Sequence, residues 1–232
     1  MSGNLQIERG DRAYVRDYVN ESDQEAILES IRDAARRSDV VIATLHTHEG
    51  ENENWYATYA PKFVEEFARK TIDAGATCFV GQGAHFPRGV EVYKGRPIFY
   101  NLGSLLMEFE SGESMISSEM YETYHLGPDA HPSDLHSNRA QKPDGSWNGF
   151  YSERRFSTNF LVVLDIDEEG AGYEIVPLDL DMHRENNLKR GLPEISTPEE
   201  GKKFADYLAH ASERYGVSFA YCEETGAISF DA

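Results

Sequence analysis

The sequence predicts a layered α/β domain, and three observations carry that prediction. Two apolar runs, at residues 39–45 and 76–80, each follow a stretch with apolar residues at helical spacing, which is the helix-then-strand unit of layered α/β folds. Both runs stop abruptly at polar or glycine residues: the first at His46 and His48, the second at Gly81-Gln82-Gly83-Ala84-His85. Such endings are how an α/β fold places polar chemistry at the carboxyl ends of its strands. Beyond them lie hairpin patterns rather than further helix-strand units.

Taken in order, residues 1–21 are polar and charged and read as an extended lead-in. Ser22-Asp23-Gln24-Glu25 has the S-x-x-E spacing of a capping box, and Ile27, Leu28, Ile31, Ala34 and Ala35 then recur as one helix face. After the polar loop 49–54, Pro61 suits a first helical turn, with Phe63, Val64, Phe67, Ala68, Thr71 and Ile72 as the apolar face and Gly75 as the stop. Residues 90–93 and 96–100 around Lys94-Gly95 read as a hairpin. From 110 to 158 the pattern breaks down into a long irregular insertion, whose aromatic residues favour an ordered cover over a disordered loop. Residues 159–167 and 173–180 form a second hairpin, with Asp165, Asp167, Glu168 and Glu169 near its solvated tip. Thr197-Pro198-Glu199-Glu200 opens a helix expected to run to about Tyr215, where Gly216 ends it, and the tail 217–230 reads as a small hairpin turning at 224–226. With no Gly/Ser- or Pro-rich linker and no repeat, a single domain over 1–232 is expected.

Composition excludes several classes. A formal charge of −19 and a pI near 4.7 repel phosphate backbones and anionic bilayers, so neither nucleic acid nor a membrane surface is an expected partner. The cations divide as 7 Lys and 15 Arg. An acidic, lysine-poor surface suits concentrated salt, so a halophilic source is one reading and an ordinarily acidic protein the other. Cys78 and Cys222 do not make a disulfide framework, and a buried thiol is expected at each. The amino terminus has no apolar signal core and no run reaches membrane-spanning length, so a cytoplasmic location is expected.

His46 and His48, two apart at a strand end, face the same way if strand geometry persists, and Glu49, Glu51 and Glu53 follow. Paired imidazoles beside carboxylates fit divalent-metal ligands, and they fit structural histidines as well. His85 closes a glycine-rich turn suited to presenting a ligand, or is an ordinary surface histidine. His125, His131 and His136 match no metal spacing and read as solvated loop residues. Trp147, Phe150, Tyr151 and Phe156 pin the insertion to the body or line a pocket. The chain has no G-x-S-x-G, no G-x-x-x-x-G-K-[ST] and no C-x-x-C.

On VVIATLHTHEG, IDAGA, FVGQGAHFPRGVEVYKGRPIFYNLGSLL and, more loosely, RGLPEISTPEEGKKFADYLAHASERYG, the chain resembles the CapA family of capsule or poly-γ-glutamate biosynthesis proteins. The block from Gly89 to Gly103 is the most specific part. The resemblance implies the carboxyl-terminal half of the family fold, a partial metallophosphoesterase-like αββα sandwich with the insertion and a terminal helix plus hairpin. It implies divalent metal ions (Mn, Zn or Fe) on His46, His48 and His85, with His48 and Glu49 in the catalytic roles. The substrate would be an anionic small molecule or polymer, either a phosphoester or a poly-γ-glutamate-like chain, whose phosphoryl or carbonyl oxygen the metal polarises. Gln82 stands where the family loop has a first His, Ala84 where it has Pro, and Ser104 where it has Asn. The family's earlier G-D and N-N-H motifs are not in this chain, which starts about midway through a typical member. A metal-dependent hydrolase, one half of a split enzyme, and a non-catalytic accessory or binding module therefore all stand as functions. Uncovered apolar sheet surface would favour self-association or pairing with the amino-terminal half.

Overall fold

A computed structural model describes residues 7, 9–11, 14, 15, 17–107, 116–167 and 170–231. Most of the expected lead-in, the start of the insertion at 110–115 and the tip residues Glu168 and Glu169 lie outside the described residues.

Helix α1 (Glu21–Ala35) is capped by Asn20, whose Oδ1 accepts from the N–H groups of Ser22 and Asp23 at 3.0 and 3.2 Å. The helix therefore starts two residues before the expected Ser22 cap would place it, because an extended Asn reaches two of the orphan donors at once. β1 (Ile42–His46) follows, then α2 (Lys62–Asp73), with Pro61 as its N-cap rather than inside its first turn. β2 (Cys78–Gln82) pairs parallel to β1 over its whole length, from Ile42 opposite Cys78 to His46 opposite Gln82. β3 (Val90–Tyr93) and β4 (Arg96–Phe99) form the expected hairpin through Lys94-Gly95, both at positive φ, and β4 lies parallel to β2. The first sheet thus runs β1-β2-β4-β3.

The insertion is more regular than its sequence predicts. It contains α3 (Ser118–Thr123) and α4 (Pro132–Ala140), with single 3-10 turns at Gly149–Tyr151 and Arg154–Phe156. Pro132 at the first helical position, and Asp134 accepting the His131 N–H at 2.8 Å, start α4 without the apolar periodicity that would advertise it. Met107, Ala140, Tyr151, Leu180 and Met182 give this segment its own small core.

β5 (Thr158–Asp167) and β6 (Gly170–Asp179) pair antiparallel along their full lengths, and the short β7 (Glu194–Ile195) joins β6. α5 (Pro198–Ala211) stops earlier than expected. Ser212 leaves the helix, its hydroxyl accepts the Val90 N–H at 2.9 Å, and a 3-10 turn at Glu213–Tyr215 carries the chain to Gly216. β8 (Ser218–Tyr221) and β9 (Ile228–Asp231) complete a second sheet of order β5-β6-β9-β8. Cys222 begins the turn after β8 and is exposed, against expectation, whereas Cys78 is buried and its thiol is pushed up to about 11 by burial.

Val64, Ala68 and Ile72 of α2, with Ile31 of α1, cover one face of the first sheet at Phe79, Ile98 and Tyr100. The opposite face presents Val90 and Phe99 to Phe160, Ile175 and Ile228 of the second sheet and to Phe204 and Leu208 of α5. These layers are those of a partial metallophosphoesterase-like α/β sandwich. Ile42 on edge strand β1, and Leu161 and Val163 on edge strand β5, remain exposed. No helix among the described residues is long and apolar enough to cross a membrane.

Candidate functional site

The parallel pairing of β1 and β2 brings two loops to one end of the first sheet, the loop after His46 and the loop after Gln82. His46 Nε2 and His48 Nε2 face each other at 3.2 Å. The His48 and His85 rings lie 5.7 Å apart at a steep angle, and the His46 and His48 rings 5.3 Å apart. The three histidines singled out in the sequence therefore share one rim. Gln82, registered with His46 on the neighbouring parallel strand, stands beside it and is exposed.

The loops meet so closely that residue 83 must be glycine. At φ +113, a Cβ on Gly83 would stand 2.5 Å from the Thr47 carbonyl oxygen and 3.0 Å from His48 Cδ2. Thr47 continues the sheet by donating its N–H to the Gln82 carbonyl at 2.9 Å, which holds the His46–His48 segment extended. His85 is itself at φ 65, and its Nδ1 lies 3.0 Å from Ser104 Oγ, so Nε2 is the nitrogen left to meet a ligand. Ser104 is fixed in turn by fully buried Asn159, whose Oδ1 accepts the Ser104 N–H at 3.0 Å and whose amide donates to the Phe156 carbonyl. Phe150 of the insertion packs 5.1 Å from the His85 ring and 5.0 Å from Phe156, so one aromatic side chain both pins the insertion and walls the site.

The donor geometry suits a single ion at the His46–His48 pair. Two imidazole nitrogens each about 2.05 Å from one tetrahedral ion stand about 3.3 Å from one another. Among the described residues no three His, Cys, Asp or Glu side chains converge as a complete metal-binding set, so His85 is a neighbour of this pair rather than a third nitrogen already in place. Glu49 is exposed and its carboxylate makes no hydrogen bond to the histidines; it lies near Glu53, whose carboxyl is raised by burial and then by Asp17 and Glu49. Glu51 is turned away into an ion pair with Arg214 at 2.8 Å.

Burial, and then positive charge on His48 and His46, holds the His85 imidazole below its ordinary value. The folded chain then binds a proton at His85 less readily than the unfolded chain. The associated stability is complete above the ordinary imidazole pKa of about 6.5 and is lost as pH falls from there toward the depressed folded value. In EDTA the thermal midpoint is expected to drop on going from pH 7 to pH 5, and to drop less in His85→Asn, which tolerates the positive φ. Equal drops in the two proteins would remove His85 as the cause.

The remaining histidines lie elsewhere. His125 and His131 are exposed in the insertion, and the side chain of His136 lies outside the described residues. His183, which drew no attention in the sequence, stacks on Trp147 at 4.3 Å and donates from Nε2 to the Tyr151 carbonyl. A cavity of about 410 Å³ lies against α5, lined by Arg154, Arg155, Lys203 and Glu200 over Phe204 and Tyr207, and it includes none of the rim histidines. Its cations are already paired with Asp179, Glu153, Glu199 and Glu200, so it is better described as a salt-bridged crevice.

A mixed sheet with a histidine rim at the carboxyl ends of its parallel strands β1 and β2, stacked on an antiparallel sheet, fits the class of α/β sandwich of metallophosphoesterase type. Residues 4–108 match the family model described as bacterial capsule synthesis protein PGA_cap, so over that part the chain is similar to CapA-like capsule synthesis proteins. An uncharacterized protein of Sinorhizobium fredii is 28% identical over 215 residues, 90% of this chain and 45% of the relative. PGA biosynthesis protein CapA of Bacillus subtilis is 30% identical over 105 residues, 45% of this chain and 26% of the relative. A probable polyglutamine synthesis accessory protein of Mycobacterium tuberculosis is 34% identical over 91 residues, 38% of this chain and 23% of the relative. The chain thus spans less than half the length of these relatives.

Proposed function

We propose that the rim binds a divalent metal ion through His46 and His48, with His85 swinging in as a third ligand, and that it acts there on an anionic substrate. The observation that carries this reading is the 3.2 Å approach of the two Nε2 atoms at the end of β1. When bound, such an ion would polarise a phosphoryl or carbonyl oxygen and make water more acidic. The chain's own residues supply the rest. Ser104 and Asn159 orient His85, Phe150 keeps one side of the rim apolar, and exposed Glu49, next to His48 in the chain, would take a proton from water entering there. By analogy with the names of the relatives, the substrate class is a carboxylate-rich γ-glutamyl polymer, with phosphoesters as the other substrate expected of the fold.

A second reading, a binding module without turnover, is favoured by one specific observation. Among the described residues only two nitrogens converge, and Gln82, a poor metal ligand, is the side chain registered beside His46. Calorimetric titration of the purified chain with Mn²⁺ and Zn²⁺, followed by incubation with γ-linked glutamate oligomers and with an aryl phosphoester, separates the two. Metal-dependent product formation supports the hydrolase. Stoichiometric metal binding with oligomer affinity but no product supports the module, and no binding of either metal removes the metal reading.

A further inference from the structure

Arg88 lies three residues beyond His85, and at 1% exposure it is the bulkiest of the fully buried side chains. Among the described residues it enters no ion pair, and its Nε has no hydrogen-bond partner. Burial draws the guanidinium down to about 10, so it stays charged near neutrality. A buried cation with an unmet donor is costly, and an apolar side chain of similar length would fill the space without that cost.

What the guanidinium does hold is backbone. Nη1 donates to the Glu49 carbonyl at 2.8 Å and Nη2 to the Trp55 carbonyl at 3.2 Å, so one side chain grips both ends of the turn that follows His48. The turn is folded down on it: a Cβ on Gly50 would stand 3.2 Å from Nη2 and 1.8 Å from the Asn54 carbonyl oxygen. Arg88 is anchored at its own end by its N–H, which donates to the Asn101 carbonyl at 3.0 Å. Its stem thus leaves the segment that carries His85 and its head closes on the segment that carries His48. Trp55, held by the same contact, reaches Phe150, which packs against His85.

We infer that Arg88 is a positioning residue, whose two carbonyl hydrogen bonds set the separation of the His48 segment from the His85 loop and with it the spacing of the three imidazoles. The inference rests on the proposed metal reading only for its binding readout. The test compares wild type, Arg88→Met and Arg88→Lys as full chains in three measurements: thermal unfolding, the nuclear Overhauser effect between His48 and His85 ring protons without metal, and Zn²⁺ affinity by calorimetry. A folded Arg88→Met is expected to lose the ring-to-ring signal and about 10- to 100-fold in Zn²⁺ affinity, the range for residues that orient ligands. Arg88→Lys, which keeps a donor for one carbonyl, is expected to fall between. A folded Arg88→Met with wild-type signal and affinity overturns the inference. So does failure of both variants to fold, which would give Arg88 a core role alone. If wild type binds no zinc but the signal is still lost in Arg88→Met, the positioning role stands and the metal reading falls.

Discussion

His46→Ala/His48→Ala is expected to lose at least about 100-fold in divalent-metal affinity while unfolding, in EDTA, within a few degrees of wild type. The size follows from the geometry. Residues that merely orient ligands are worth about 10- to 100-fold, so removing both converging nitrogens exceeds that range. The small stability change follows from exposure, since both side chains are exposed and their mutual contact is two imidazoles that must share one proton to hydrogen-bond. Calorimetry with Zn²⁺ and a thermal scan check the two halves separately. Unchanged affinity would place any ion elsewhere, and a collapse in the thermal midpoint would make the pair structural. Either outcome would leave the rim without its proposed chemistry.

How far the sequence predicts this arrangement depends on the range over which each contact acts. β1, β2 and the β3-β4 hairpin are legible because their patterns are local, and a run of apolar residues ending in His46 or in Gly83 announces a strand end on its own. The shared rim of His46, His48 and His85 follows once β1 and β2 pair in parallel, which the helix between them makes the natural topology. Its support is not legible. Arg88 grips a carbonyl 39 residues away and Asn159 holds an N–H 55 residues away, and no spacing rule links such partners. The available signal for Arg88 is weak: a charged residue between Pro87 and Gly89 amid apolar neighbours. Asn159 reads only as the polar first residue of a strand. Ser104 is visible as a departure from the family pattern, but its bond to His85 is a property of the fold. α4 and the Asn20 cap escape for the opposite reason, because polar side-chain contacts rather than apolar periodicity define them.

Glu91→Ala is expected to destabilise the chain by about 3 kcal/mol without changing metal affinity in the protein that remains folded. Glu91 is nearly buried on β3 and accepts from Arg69 Nε and Nη2 at 2.8 and 3.0 Å and from the Tyr100 hydroxyl at 2.5 Å. Burial, then that hydrogen bond, pushes the Tyr100 hydroxyl far above its ordinary value, so it remains a donor at every accessible pH. Removing the carboxylate strands a buried hydroxyl and a cation at once, and breaking a buried ion pair from one side costs about 3–5 kcal/mol. The lower end applies because the Arg69 side chain is 35% exposed and can turn partly toward water. A companion arrangement limits the damage. Tyr215 donates to Glu65, Arg214 bridges Glu65 and Glu51, and the Tyr215 ring stacks on Tyr100 at 4.9 Å, so α2 stays tied to the turn after α5. Glu91→Gln, which keeps the shape and loses the charge, should cost about half as much. Denaturant unfolding of the two variants tests the order. A cost below about 1 kcal/mol for Glu91→Ala would mean that water re-solvates the pocket, and weakened zinc binding would mean that this network, and not the rim's own supports alone, sets the imidazole spacing.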